Sequence, residues 1–378
     1  MLKADNEAVK QTILLSRRLC AVGWLTEQHA DVRDTLQFLV STEQVRAKLC
    51  IPHLSLWTIC SREISSSVIS RTGSAHIVVD GFQLLALNRI FSAVVLSAEL
   101  DVVAPVLLGL LAEVFLSANQ LGMASLCKTV SIKLVKRNPK AFVNTRSQAS
   151  VIESQHTLRM FLLGHELGHV MLDASPAERS VMREDLDARL KEVRAYLEET
   201  APPDIKDQIG ENLWSPAYGN YWHELCCDTL SVEILEHMKG MMGGRDRVQI
   251  CEAIVATALG LDILRLFKRI VLKDDLPSES NLLTTLFNES YVRLLHLYRL
   301  VAIRFGVSQR EMRSSMMRFQ KVFSGDGVLW NLFSMLPELK KLVDSDGRDW
   351  KTAEQVFGVD SMFGWRASRD ALIYEQIF

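Results

Sequence analysis

Two histidines four residues apart lie inside an apolar stretch, in the sequence Gly164-His165-Glu166-Leu167-Gly168-His169. Residues i and i+4 share one face of an α-helix. The apolar runs at 160–163 and 170–172 on either side indicate that this helix is buried, and helical periodicity extends over about 155–172. The pattern therefore predicts a buried helix that presents both imidazoles on one face.

An HExxH sequence on a helix has a specific chemical meaning. Both imidazoles can bind one zinc ion, while the glutamate between them lies beside the water at the open coordination position. Zinc lowers the pKa of that water, and the glutamate can take its proton and then protonate a leaving amine. We therefore predict that His165 and His169 bind zinc and that Glu166 is the general base. The alternative is a helix with two solvated or salt-bridged histidines.

A second motif at helical spacing, Glu224-x-x-x-Asp228, lies in the mostly apolar segment 221–238. Glu224 can supply a third metal ligand, while Asp228 accepts the outer N–H of a ligating imidazole and fixes its tautomer. On an ordinary charged helix the same pattern would be a salt-bridged face. His223 competes as third ligand, but it lies about 100° of helix rotation from Glu224, so both cannot face the metal equally well.

Together the two motifs resemble the gluzincin clan of zinc peptidases, in which two histidines and a glutamate bind zinc. A strand at 76–80, a helix, the HExxH helix, the ExxxD helix and an apolar helix at 253–259 follow one another as in the phage-exclusion Lit-type peptidases. The resemblance covers roughly residues 75–300 and implies a selective endopeptidase inside a bacterial cell, in stress response or phage defence. It implies ligation by His165, His169 and Glu224, with Glu166 as base and Asp228 as partner of the first histidine.

Two departures from that pattern affect the site. The charged segment 176–216 separates the two motifs, and the His-Pro with a following Arg is replaced by Asn288-Glu289-Ser290-Tyr291-Val292-Arg293. The donor that would stabilise an oxyanion is therefore unassigned. Four residues carry groups that could donate a hydrogen bond to the oxyanion, namely Tyr291, Arg293, His296 and Tyr221. Of these, Tyr291 is the first choice.

Cys226 and Cys227 lie between the proposed ligand Glu224 and its partner Asp228. A thiolate at either position could replace or block a ligand. The alternative is that both are small apolar residues that pack a buried helix.

The composition limits the partners. The 43 basic and 45 acidic residues give a net charge of -2 without a basic block, so no nucleic-acid partner is expected. Seven cysteines without a CxxC pair, and an N-terminus that mixes charges before any apolar run, predict a cytoplasmic protein. The apolar run 102–112 is much shorter than the roughly 20 residues of a membrane span, so we expect a buried core helix there.

The predicted fold is mainly α (α+β), a zincin-like core with a small mixed or antiparallel sheet beside the HExxH helix. The predicted domains are a helical region at 1–72, the core at 73–275 and a helical region at 276–378. The segments 75–80 and 130–135 are the predicted strands. Within the insertion at 176–216, the charged segment 176–199 is expected to form a solvated helix that projects from the core. The insertion as a whole is expected to gate the cleft.

These features predict a zinc-dependent metalloendopeptidase that cleaves an intracellular protein or peptide substrate. One alternative is a zinc-binding sensor or interaction module without turnover, which would not need the general base Glu166. A second alternative is a transcription regulator with a metallopeptidase domain, which the net charge of -2 does not favour.

Overall fold

The structure, a computed structural model, describes residues 13, 30–49, 51, 53–61, 64–71, 73–96, 100–137, 148–200, 211–215, 219–238, 246–272, 281–308, 310–313, 341–346 and 348. The described part is mainly helical and contains one three-stranded sheet, which confirms the predicted mainly α architecture with a small sheet. Most of the predicted helical region 276–378, and the domain boundary at 275/276, lie outside the described residues.

The helices and strands of the described part follow in chain order. The helices are α1 (Ala30–Ser41), α2 (Glu43–Lys48), α3 (Gly81–Leu96), α4 (Leu100–Ser117), α5 (Leu121–Arg137), α6 (Gln148–Ala174), α7 (Pro176–Thr200), α8 (Gly219–His237), α9 (Arg247–Leu272) and α10 (Asn281–Phe305), with a 3-10 helix at Glu211–Trp214. The strands are β1 (His53–Ile59), β2 (Ser67–Arg71) and β3 (Ser74–Asp80).

The sheet has the order β1-β3-β2 and is mixed, with β3 parallel to β1 and antiparallel to β2. Its central strand β3 is the one predicted at 75–80, and six of its seven residues are buried, as expected for a strand rich in β-branched residues. Trp57 and Ile59 of β1 pack with Val78 of β3 in one apolar cluster. Strands β2 and β3 contact α6, which places the sheet beside the HExxH helix.

The prediction that residues 1–72 are helical is wrong for two segments, because 53–59 and 67–71 form β1 and β2. Strand β1 ends in Trp57-Thr58-Ile59, and aromatic and β-branched residues of this kind favour a strand. The sequence Ile51-Pro52 interrupts the helical periodicity just before β1. The approach to a proline is extended, so the same step also fits the start of a strand.

The predicted strand at 130–135 is also wrong, because these residues lie within the helix α5. Their apolar residues continue a helical stripe, since Met123, Cys127, Val130 and Leu134 are all buried at spacings of three and four. A six-residue window showed alternation, but only a longer window shows the period of the helix.

The charged helix α7 does not project from the core as expected. Five apolar residues at spacings of three and four are buried along one side, namely Met182, Leu186, Leu190, Val193 and Leu197. Arg299 of α10 pairs with Glu192 at 3.5 Å and lies over the Tyr196 ring at 5.5 Å. The segment is therefore an amphipathic helix packed against the protein, with its charges on the outer side.

The chain divides into two compact units, each built from separate stretches. One comprises Met1–Leu87, Gln148–Leu259 and Thr284–Met312, and it includes the sheet, α6, α7, α8 and α10. The other comprises Asn88–Ser147, Gly260–Leu283 and Arg313–Phe378. None of the described helices is long and apolar enough to cross a membrane.

Asp80 joins the end of β3 to the start of α3. Its carboxylate is buried, and it accepts hydrogen bonds from the backbone N–H of Phe82 at 2.8 Å and of Ser61 at 3.2 Å. Burial raises the pKa of this carboxyl, while the hydrogen bonds from Ser61 and Phe82 oppose that shift. The side chain therefore acts as the N-cap of α3 and also ties the residues after β1 to the sheet.

Asp80→Ala is expected to lower the free energy of unfolding by about 1–2 kcal/mol, because the cap is lost and the backbone N–H groups of Ser61 and Phe82 lose their acceptor. Urea denaturation followed by circular dichroism would measure the change. Asp34→Ala is the control, since that side chain is 65% exposed and should shift stability by less than about 0.5 kcal/mol. Equal stabilities of the two variants would contradict the capping role.

Candidate metal centre

Three helices of one unit supply the polar groups of the candidate site. Helix α6 carries the HExxH residues, α8 carries the residues of the second motif, and α10 carries Arg293. Helices α6 and α8 contact each other along their length. The site therefore lies where α8 crosses the HExxH segment.

The two glycines of the HExxH segment allow α8 to come this close. A Cβ atom on Gly164 would lie 2.5 Å from Ser231 Oγ, and one on Gly168 would lie 2.9 Å from Cys227 Cα. Ser231 Oγ also donates a hydrogen bond to the carbonyl of Phe161 at 2.8 Å. The missing side chains at 164 and 168 thus set the distance between the two motifs.

The structure brings His165, His169 and Glu224 together. His165 Nε2 lies 3.2 Å from His169 Nε2 and 3.2 Å from Glu224 Oε2, and His169 Nε2 lies 3.7 Å from Glu224 Oε1. Ligand atoms at about 2.0–2.1 Å from a tetrahedral zinc ion are about 3.3–3.4 Å apart. The observed separations are close to that value, so the three residues fit a single ion.

Asp228 lies behind the first histidine. His165 Nδ1 donates a hydrogen bond to Asp228 Oδ1 at 2.8 Å. When the ring is neutral, as a metal ligand must be, this contact leaves the lone pair on Nε2, the nitrogen that faces Glu224. This is the contact that the sequence predicted for Asp228. Both side chains are buried, with 5% exposure for His165 and none for Asp228.

Arg293 completes the environment of Asp228. Its Nε donates to Oδ2 at 2.6 Å and its Nη2 donates to Oδ1 at 2.9 Å, in a bidentate pair. The Arg293 side chain is 6% exposed. The arginine therefore neutralises the carboxylate that orients His165.

The charges of the cluster act on one another at short range, with His165 and Asp228 buried and Glu224 partly exposed. Burial alone lowers the pKa of His165, but hydrogen bonds to Asp228 and Glu224 and their charges raise that pKa to about 10. Burial raises the pKa of Glu224, yet the hydrogen bond and charge of His165 hold it well below its usual range. Burial and the neighbouring positive His165 lower the pKa of His169 to about 4. The charge of Glu224 thus favours a cation between it and the two histidines.

His223, the competing candidate for the third ligand, faces the Nδ1 atom of His169. Its Nε2 lies 3.1 Å from His169 Nδ1, whereas Glu224 faces Nε2 of the same ring. Cys227 joins this pair, since the ligand atoms of His169, His223 and Cys227 all lie within 4.8 Å of one another. The rotation between positions 223 and 224 thus directs the two side chains to opposite nitrogens of one imidazole.

Cys226 and Cys227 are both buried. Burial raises the pKa of Cys226 to about 12 and raises that of Cys227 well above its usual range. Burial at these positions therefore disfavours the thiolate form that a reactive cysteine needs in the absence of a metal ion.

Glu166 and the four predicted oxyanion donors occupy different positions. Glu166 is 5% exposed and follows the ligand His165 directly. The Tyr221 hydroxyl donates to the carbonyl of Glu289 at 3.1 Å. His296 Nε2 lies 3.1 Å from Thr229 Oγ1, one residue beyond Asp228.

Tyr291 is buried on α10, two residues before Arg293. Two residues correspond to about 200° of helix rotation, so the two side chains leave α10 in nearly opposite directions. Arg293 points to Asp228. The rotation therefore does not favour Tyr291 as an oxyanion donor, and its assignment to that role stays a prediction.

The ion pair of Arg293 with Asp228 is not among the predictions from the sequence, in which the arginine is only a candidate oxyanion donor. One signal was present in the sequence. A carboxylate in the mostly apolar segment 221–238 requires a buried cation or several hydrogen bonds. The sequence does not say which distant arginine meets it.

Comparisons of the chain with protein-family models, with curated proteins and with solved structures find no match. The chemistry of the site therefore has to be inferred from the geometry of its own residues.

Proposed function

We propose that this protein is a zinc-dependent endopeptidase that hydrolyses peptide bonds of an intracellular protein. One observation supports the proposal most. The ligand atoms of His165, His169 and Glu224 lie 3.2–3.7 Å apart, and Asp228 orients the first ring so that its lone pair faces the cluster. Two imidazoles and one carboxylate are the ligand set of many catalytic zinc sites, which keep a fourth position for water.

A zinc ion on these three ligands would lower the pKa of its bound water and polarise the carbonyl of the scissile bond. The remaining steps belong to the side chains. Glu166 would take a proton from the attacking water and give one to the leaving amine. Asp228 and Arg293 would keep His165 in its ligating tautomer during these steps.

The buried surroundings support hydrolysis over simple cation storage. The apolar residues Phe161, Leu162 and Val170 on α6 are fully buried, and of the three ligands only His169 and Glu224 keep part of their side chains exposed. Electrostatic interactions are stronger in such an environment, which assists a general base. The resemblance of the motifs to those of Lit-type peptidases extends the proposal to selective cleavage of one protein, in stress response or phage defence.

Metal analysis and proteolysis of two variants would test the proposal. Wild type and Glu166→Gln are expected to bind one zinc ion per chain, since the glutamate is not a ligand. Glu166→Gln should lose activity by at least about 100-fold, because general base catalysis typically contributes that much. Glu224→Ala should lose both zinc and cleavage. New peptide ends in a treated cell extract, counted by mass spectrometry, would measure activity.

Glu236→Ala is the matched control for Glu224→Ala, because Glu236 lies on the same helix α8, pairs with Arg304 and takes no part in the cluster. It should keep both zinc and cleavage. Cleavage by Glu166→Gln at the wild-type rate would refute the role of the base. A wild type that binds zinc but produces no new peptide ends would favour a binding module without turnover.

A further inference from the structure

The imidazole of His169 has a different partner at each of its two nitrogens. Its Nε2 faces His165 Nε2 at 3.2 Å, and its Nδ1 faces His223 Nε2 at 3.1 Å. The rings of His169 and His223 have centroids 5.0 Å apart and are tilted by 38°. His169 therefore belongs to two clusters of potential ligands.

The second cluster is formed by His169, His223 and Cys227. Its three ligand atoms lie within 4.8 Å of one another. The separation of 3.1 Å between the two ring nitrogens is close to the roughly 3.3 Å expected for two imidazoles on one tetrahedral ion. Cys227 is buried where α8 packs on Gly168, so its sulfur stays beside these rings.

We propose that His169, His223 and Cys227 form a second metal site, which takes a thiophilic cation and cannot be filled together with the first site. The sulfur ligand sets the preference, because thiolates select soft ions such as cadmium or Cu(I), whereas a carboxylate in the first set does not. Binding forms a metal–sulfur bond and releases the thiol proton of Cys227 to solvent.

The exclusion follows from the number of lone pairs on a neutral imidazole. With its proton on Nδ1, His169 offers the Nε2 lone pair to the first set and donates a hydrogen bond to His223. With its proton on Nε2, it offers the Nδ1 lone pair to the second set and is lost to the first. A thiophilic cation would thus remove one of three ligands from the first site. As regulation this rests on the proposed function, since it makes such cations inhibitors of the peptidase.

Cadmium titration of the full chain, freed of metal by chelation, would test the site through thiolate-to-cadmium absorption in the ultraviolet. Wild type and Glu224→Gln should both develop the band, because Glu224 belongs only to the first set. Cys227→Ser should lose the band, and His223→Ala should weaken cadmium binding at least tenfold. Cys226→Ser is the matched control and should keep it, since that thiol is outside the set. A band that survives in Cys227→Ser, or none in wild type, would overturn the proposal.

Equilibrium dialysis of zinc-loaded wild type against cadmium would test the exclusion. Each cadmium that produces the band should release one zinc ion. Retention of both ions would disprove mutual exclusion. The absorption readout needs no peptidase activity, so it can succeed where the proposed function fails, and the Glu166→Gln test can succeed where the second site fails.

Discussion

Arg293→Met is expected to lower the free energy of unfolding by about 3–5 kcal/mol, the usual effect of removing one partner of a buried ion pair. The variant leaves the carboxylate of Asp228 without its bidentate donor, and neither side chain has access to enough water to replace it. Methionine fills much of the volume of the arginine stem, so a large loss would reflect the charge more than packing. Urea denaturation of the chain would measure it.

The same variant should weaken zinc binding by about 10–100-fold, because Asp228 would no longer be held in the position that orients His165. Arg304→Met is the control on the same helix. Its side chain is 28% exposed and pairs with Glu233 and Glu236, so its removal should cost about 1 kcal/mol or less. Adding Asp228→Asn to Arg293→Met removes the unpaired charge and should recover part of the stability. Similar losses for the two arginine variants would contradict the buried-pair argument.

Gly168→Val is expected to lower the free energy of unfolding by about 3 kcal/mol, because the new side chain would overlap the backbone of α8 at Cys227. Gly168→Ala should lose less, since alanine adds only the Cβ and gains about 1 kcal/mol of helix propensity over glycine. The overlap can be relieved only by moving α8 away from α6. Such a shift separates Glu224 from the histidines, so zinc affinity should fall in the order glycine, alanine, valine.

Gly219→Ala provides the control for both substitutions, because a Cβ at that position would meet no atom within 4 Å. It should leave stability and zinc affinity close to those of wild type. Isothermal titration with zinc would supply the affinities, and urea denaturation would supply the stabilities. If Gly168→Ala, Gly168→Val and Gly219→Ala all bound zinc with equal affinity, the spacing of α6 and α8 would not control the site.

The sequence predicted the helices that carry the motifs because apolar residues recur at helical spacing over many turns. It also placed Glu224 and Asp228 correctly relative to each other, since i and i+4 share a face in any α-helix. Strand β3 was predicted because β-branched residues follow one another between glycines, whereas β1 and β2 lack that signal and their short apolar segments fit a helix or a strand equally well.

The long-range contacts of the site had no local signal. Arg293 meets Asp228 only because α10 packs beside α8, and nothing in the spacing of either motif specifies that arrangement. The roles of Gly164 and Gly168 depend in the same way on which helix approaches α6. The contact between His223 and His169 could be anticipated only in part, because helix rotation separated position 223 from 224 without giving the partner of either.

The packing of α7 has a consequence for how the metal centre is assembled. His169 and Glu224 lie on opposite sides of the segment 176–216, and an unstructured connection of that length would have to lose entropy when its ends meet. Helix α7 instead buries an apolar stripe and is attached to α10 through Arg299. The order of α7 is thus supplied by packing within the chain, and a cation would arrive at ligands that are already neighbours.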